Sequence, residues 1–196
     1  TTGEYNTALG RDALDANTIG KQNTALGRNT LTTNTTGNYN VAVGNNALLT
    51  NTVSDNVAVG YAALRLNTTG KYNVAIGNLA LDVNTIGDRT VAIGWNTLLV
   101  NTTGKNNTAV GYRAMPYNTI GIENTAIGYQ TLRENTTGSY NTAIGHEVLL
   151  RNTTGQYNIG VGHEALFDNT IGNKNTAVGY RAGFSNSTGN YNTAVG

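Results

Sequence analysis

The chain has 196 residues, 12 Lys and Arg against 11 Asp and Glu, a formal net charge of +1 and no cysteine. Charged residues make up 12% of it, about half the usual share, and they are scattered, so there is no basic patch to grip nucleic acid. No apolar run is long enough to span a membrane, no stretch reads as a signal peptide, and disulfide or thiolate chemistry is excluded.

From its first residues the chain follows one phrase, N-T-[T/I]-G-x-x-N-T-A-[I/V]-G-x-x-A-L-x-x, written about twelve times. The opening Asn stands at Asn17, Asn34, Asn51, Asn67, Asn84, Asn101, Asn118, Asn135, Asn152, Asn169 and Asn186, and every step is 17 residues except the 16 from Asn51 to Asn67. Residues 1–196 therefore read as a single repeat array of about twelve coils, with one short coil at 51–66. The chain starts inside a repeat and stops at Ala194-Val195-Gly196, which reads as a segment of a longer fibre. An enzyme brings several different residues to one place. A chain that repeats one phrase has little room for that, so a rod or surface is expected rather than an enzyme.

Gly recurs too often in each coil for a helix. Two short strands per coil are expected, N-T-A-[I/V] closed by one Gly and x-A-L-x-x-N-T closed by the next, giving an all-β parallel β-roll or β-solenoid. The residue ahead of the first Gly is always Leu, Val or Ile, and the second strand carries a Leu at Leu14, Leu31, Leu48, Leu64, Leu81, Leu98, Leu132, Leu149 and Leu166, replaced once by Met115. These two apolar stacks are expected to face each other as the core. Between the flanking residues of the first strand stands Ala8, Ala25, Ala42, Ala58, Ala75, Ala92, Ala109, Ala126, Ala143, Ala177 and Ala194, with Gly160 in the remaining coil. Alternation puts this column on the opposite face, where a position held to Ala or Gly implies close approach by another chain. It is therefore assigned to a homotrimer interface. The competing reading has Ala packed inside its own coil and Ile facing the partner. Two Asn columns, one from Asn17 and one from Asn6, read as structural ladders of hydrogen-bonded amides. The short coil has lost a residue beside Ser54, where a turn is expected.

The string N-[T/V]-A-[I/V]-G, as at Asn40 to Gly44 and Asn73 to Gly77, resembles the core phrase of trimeric autotransporter adhesin heads. The longer phrase at Asn101 to Met115 is similar to repeats of bacterial and phage tail-fibre proteins. The adhesin heads are left-handed parallel β-rolls with three chains about one axis, and their phrase has a shorter period. The resemblance implies an extracellular appendage on a cell or virion, built as a homotrimer and serving attachment, with a host-surface receptor or glycan as a further partner. It implies no cofactor.

A second rhythm overlies the first. Thr and Ile alternate at the third place of N-T-[T/I]-G, and Tyr follows the Thr version, as at Tyr39, Tyr72 and Tyr140, so Ile and Tyr are expected to take turns in one pocket between coils. Variable positions on a rigid scaffold are where recognition sits. Trp95, Tyr112, Tyr129, His146 and His163 are the candidate surface contacts. His146-Glu147 and His163-Glu164 are one coil apart, a spacing of about 4.8 Å that can hold a metal, although duplication of a variable surface position explains it more simply. A Thr column at Thr18, Thr35, Thr52, Thr68, Thr85, Thr102, Thr119, Thr136, Thr153 and Thr170 supports a different function, an ice-binding or other surface-binding solenoid.

Overall fold

The computed structural model describes residues 2–196. Its secondary structure is a single parallel sheet of twelve strands in sequence order: β1 Thr7–Leu9, β2 Thr24–Leu26, β3 Val41–Val43, β4 Val57–Val59, β5 Val74–Ile76, β6 Val91–Ile93, β7 Thr108–Val110, β8 Thr125–Tyr129, β9 Thr142–His146, β10 Ile159–His163, β11 Thr176–Val178 and β12 Thr193–Val195. The chain is a β-solenoid. Each strand pairs with its own repeat in the next coil, Ala126 on Ala143 and Ile127 on Ile144, so like stacks on like along the whole molecule. At about 4.8 Å per rung the array is roughly 53 Å long.

The strands form where β-branched residues flank Ala, a pattern that suits a pleated surface. The Gly closing each one has a φ between 123° and 149°, a region in which a side chain is strained. At Gly145 a Cβ would also strike the carbonyl oxygen of Gly162 one rung away. Both constraints hold the position to glycine.

The inside and the outside of the strand are the reverse of the first assignment. The column Ala25, Ala42, Ala58, Ala75, Ala92, Ala109, Ala126, Ala143 and Ala177 is fully buried within its own chain, against the Leu column. Ala8 and Ala194 hold the same place at the two ends, where no further rung covers them. A fully buried side chain has no surface left for another chain, so the Ala column is not a subunit interface. The Ile and Val column faces outward instead, with Ile76 and Ile144 each 38% exposed. The interior is too narrow to hold Ile opposite Leu, and Ala opposite Leu fits.

The expected second strand is also absent. The segment from the first Gly to the next Asn is a run of turns, joined rung to rung by backbone hydrogen bonds such as Leu132 N–H to Val148 C=O at 3.0 Å. Two of its residues lie in the left-handed region in each coil, for example Gln130 at 50° and Leu132 at 50°. In a strand, neighbouring side chains point to opposite faces. Here both members of the Ala-Leu pair point inward, as Ala47 with Leu48 and Ala63 with Leu64, all 0% exposed. The left-handed Leu makes that possible by turning the chain between them.

Most of the rest of the interior is amide. Asn141 takes the N–H of Asn158 on its Oδ1 at 3.0 Å and donates its Nδ2 to the Gly155 carbonyl at 2.8 Å. The same carbonyl accepts from Asn152 of its own coil at 3.1 Å, and Asn152 in turn donates to the Oδ1 of Asn135 at 2.8 Å. Both Asn columns thus act as the structural ladders expected of them. At Thr90 the first ladder is interrupted: Thr90 N–H donates to Asn73, but its hydroxyl turns to the Asp88 carbonyl. The short coil has lost its residue in the turn between Asn51 and Asn56, and there the Val53 carbonyl replaces that of glycine, accepting from Asn40 and Asn51 at 2.7 Å each.

Gly160, the exception in the Ala column, has a local cause. The coil before it carries Val148 where other coils carry Ala or Thr, and a Cβ on Gly160 would collide with Val148 Cγ1. The larger side chain is matched by a smaller one opposite. Gly160→Ala should therefore destabilise the chain by about 1–3 kcal/mol through overpacking, while Val148→Ala combined with Gly160→Ala should recover most of the loss. Denaturant unfolding of the two single variants and the double variant checks this. Additive losses would show that the two sites are independent.

Candidate functional surface

The outward columns of the sheet are the one surface that repeats without a break. The residues before and after the central Ala or Gly of each strand are all Thr, Val, Ile or Leu, and no charged residue enters this strip in any of the twelve coils. It is partly exposed along its length, and more so at Ile127 (37%), Ile159 (44%) and Val178 (42%).

A column of rings borders the strip, beginning two residues beyond the Ile and Val column. Trp95 stacks on Tyr112 with centroids 5.1 Å apart, Tyr112 on Tyr129 at 5.3 Å, Tyr129 on His146 at 4.9 Å, His146 on His163 at 4.6 Å and His163 on Tyr180 at 5.4 Å. Register produces this ladder, because each ring sits one coil from the next. All five candidate contacts, Trp95, Tyr112, Tyr129, His146 and His163, thus fall in one continuous array. Tyr180 extends it and was missed by sequence reading, although it stands one period after His163. Earlier in the chain the same column holds Arg11, Arg28, Asn45, Tyr61 and Asn78.

The stacking decides what the ladder can bind. A sugar lies on the face of an aromatic ring, and here each inner ring has both faces covered by its neighbours. The ladder instead presents ring edges: phenol hydroxyls and imidazole nitrogens. Charges follow the same rung logic. Arg181 donates its Nε–H to Glu164, and Arg65 grips Asp82 at 2.7 and 3.1 Å, each pair one coil apart. The hydrogen bond to Glu164 holds the Arg181 guanidinium above its ordinary pKa, so this group stays cationic.

The Tyr and Ile of the second rhythm do not share a buried pocket. Ile19, Ile86, Ile120 and Ile171 are 45–54% exposed, and Tyr39 and Tyr72 are exposed beside them. The hydroxyls of the Thr column point along the rod: Thr68 donates to the Thr85 carbonyl and Thr85 to the Thr102 carbonyl, both at 2.8 Å. Their protons are used within the fold, leaving lone pairs for anything outside.

Comparisons with protein-family models, curated proteins and solved structures found no match, so the reading of this surface rests on its geometry.

Trp95 is the chain's single tryptophan, and Tyr112 covers one of its faces. Tyr112→Ala removes two stacked contacts of about 0.5–1.5 kcal/mol each. It should lower the unfolding midpoint and shift Trp95 emission to the red. Unchanged emission would mean that the two rings are not stacked in solution.

Proposed function

We propose that this chain is a rigid structural segment of an extracellular fibre, assembled as a homotrimer through the outward face of its sheet, whose side columns serve attachment to a host surface. One observation carries the reading: the uninterrupted, uncharged strip of Thr, Val, Ile and Leu on the outer face of the sheet. Two columns about 7 Å wide over roughly 53 Å give on the order of 700 Å², close to the ~800 Å² that each partner of a stable complex buries. Exposed apolar patches of that size mark interaction surfaces. Because every rung is alike, parallel copies match one another along the whole length, and the resemblance to adhesin heads argues for three. The fold supports the mechanical part of the role, since each coil is hydrogen-bonded to both neighbours through backbone and Asn side chains.

Attachment in this reading belongs to the side columns that remain outside the trimer, the ring ladder among them. Ice binding by the Thr column is the weaker alternative because its hydroxyl protons are already engaged. Thermal hysteresis is its readout.

Sedimentation equilibrium tests the assembly. The chain should sediment at three times its 20.6 kDa mass, and Ile127→Lys with Ile144→Lys should reduce it to a monomer of unchanged far-UV circular dichroism. A wild-type monomer, or a variant that stays trimeric, would overturn the use of this face.

A further inference from the structure

We propose that Tyr157, Lys174 and Tyr191 form a binding site for an acidic sugar, a pyranose ring that carries a carboxylate. The three residues hold the same place in successive coils, in the turns that lead into β10, β11 and β12. With Gln156, Asn173 and Asn190 beside them they line an open cleft of about 440 Å³, a size within the range of small-molecule sites.

Register makes the cleft. Tyr157 and Tyr191 are two rungs apart, roughly 9.6 Å, and the rung between them carries a lysine in place of a ring. Tyr140 stacks on one face of Tyr157, with centroids 4.7 Å apart and planes 3° from parallel. The other face looks toward the Lys174 rung, and the Lys174 ammonium leans away from it. Its Nζ lies 5.0 Å from the centre of the Tyr191 ring and donates to the Tyr191 hydroxyl at 3.2 Å. Among the described residues Tyr157 is thus stacked on one side only, and it is 49% exposed. The inner rings of the ladder beside the strip are covered on both faces instead.

The lining selects the ligand. No acidic residue lines the cleft, and among the described residues the Lys174 ammonium contacts only Tyr191. The Asn190 carbonyl oxygen accepts the Asn173 N–H at 2.7 Å, which fixes that side chain and leaves its Nδ2 protons pointing to solvent. The C–H face of a pyranose is apolar and packs on a bare ring face, its hydroxyls reach amide donors, and its carboxylate pairs with an ammonium. A lone phosphate would use the lysine and leave the ring idle. A neutral sugar would do the reverse. The same column holds two comparisons: Tyr5 and Tyr39 flank Gln22, and Tyr39 and Tyr72 flank Asp55. Only the pair around Lys174 encloses a cation. The inference gives a ligand class to the attachment reading and rests on it for its role, but the site is built by one chain, so binding and sedimentation fail independently.

Saturation-transfer difference NMR on the intact chain tests the site with methyl glucuronide, methyl glucoside and benzoate as probes. The glucuronide should bind with a Kd on the order of 1 mM, as suits so small a ligand. It should bind about fivefold more tightly than the glucoside, the gain expected of an exposed ion pair. Lys174→Gln should erase that preference and keep the weaker glucoside binding, and Tyr157→Ala should lose the signal of both sugars. Melting curves matched to wild type show that the variants keep the fold. No binding of the glucuronide, equal binding of the two sugars, tighter binding of benzoate than of the glucuronide, or variants that bind as wild type does would overturn the proposal.

Discussion

Every coil depends on satisfying amides in a space too small to admit anything else. Coils of about seventeen residues close around an interior that holds Ala or another small residue, Leu and, in nearly every coil, two Asn. Burying an amide without partners costs several kcal/mol on water-to-hydrocarbon scales. Here the Asn141 column finds its partners one rung away, a backbone N–H, a neighbouring amide and a glycine carbonyl, while the Asn152 column bonds the glycine carbonyl of its own coil and the amide one rung away. Those partners exist only in register. A slip of one residue would set Asn141 against Tyr157 or Ile159 in place of Asn158 and break its hydrogen bonds, so the ladders fix the stacking as much as they stabilise it. Apolar contact alone is not selective in that way.

That constraint explains the backbone. Side chains must point inward at positions that an extended chain would turn outward, and the coil answers with non-glycine residues in the left-handed region, as at Leu149, Glu147 and Tyr140 in neighbouring parts of one coil. The left-handed conformation costs roughly 1–2 kcal/mol per residue. The buried Leu and Asn columns offset it, and at the last such position the chain uses Gly183 in place of Leu, with a φ of 62°. The outer surface inherits the regularity. Rings, hydroxyls and opposite charges that merely share a repeat position become stacks, and the ladder from Trp95 to Tyr180 is the largest of them.

Much of this was legible in the sequence. The period gave the solenoid and the strand positions, Asn17 and its equivalents read as structural, and the deletion beside Ser54 fell in a turn as expected. The facing of the strand was not legible. Alternation sorts residues into two faces but does not say which is inside, and ranking by hydrophobicity chose Ile127 over Ala126. Size decides instead: the wall opposite is already filled by Leu132, and only Ala leaves room. The second limb was misread because the adjacent Ala-Leu pair looks like part of a strand. A small residue followed directly by Leu or Met in coil after coil was the available sign that the chain does not alternate there. The ring ladder was visible only as separate variable positions, since its continuity appears when the register is known.

The central claim is that the asparagine columns are buried and hydrogen-bonded in register, and side-chain amide hydrogen exchange measures it directly. Eighteen asparagines are buried among the described residues. Their Nδ2 protons should persist in deuterated solvent for as long as the protected backbone amides of the strands, while those of exposed Asn45 and Asn190 vanish at once. If the buried set exchanged as fast as Asn45, the interior would be open to water, and the account of what holds the coils together would be wrong.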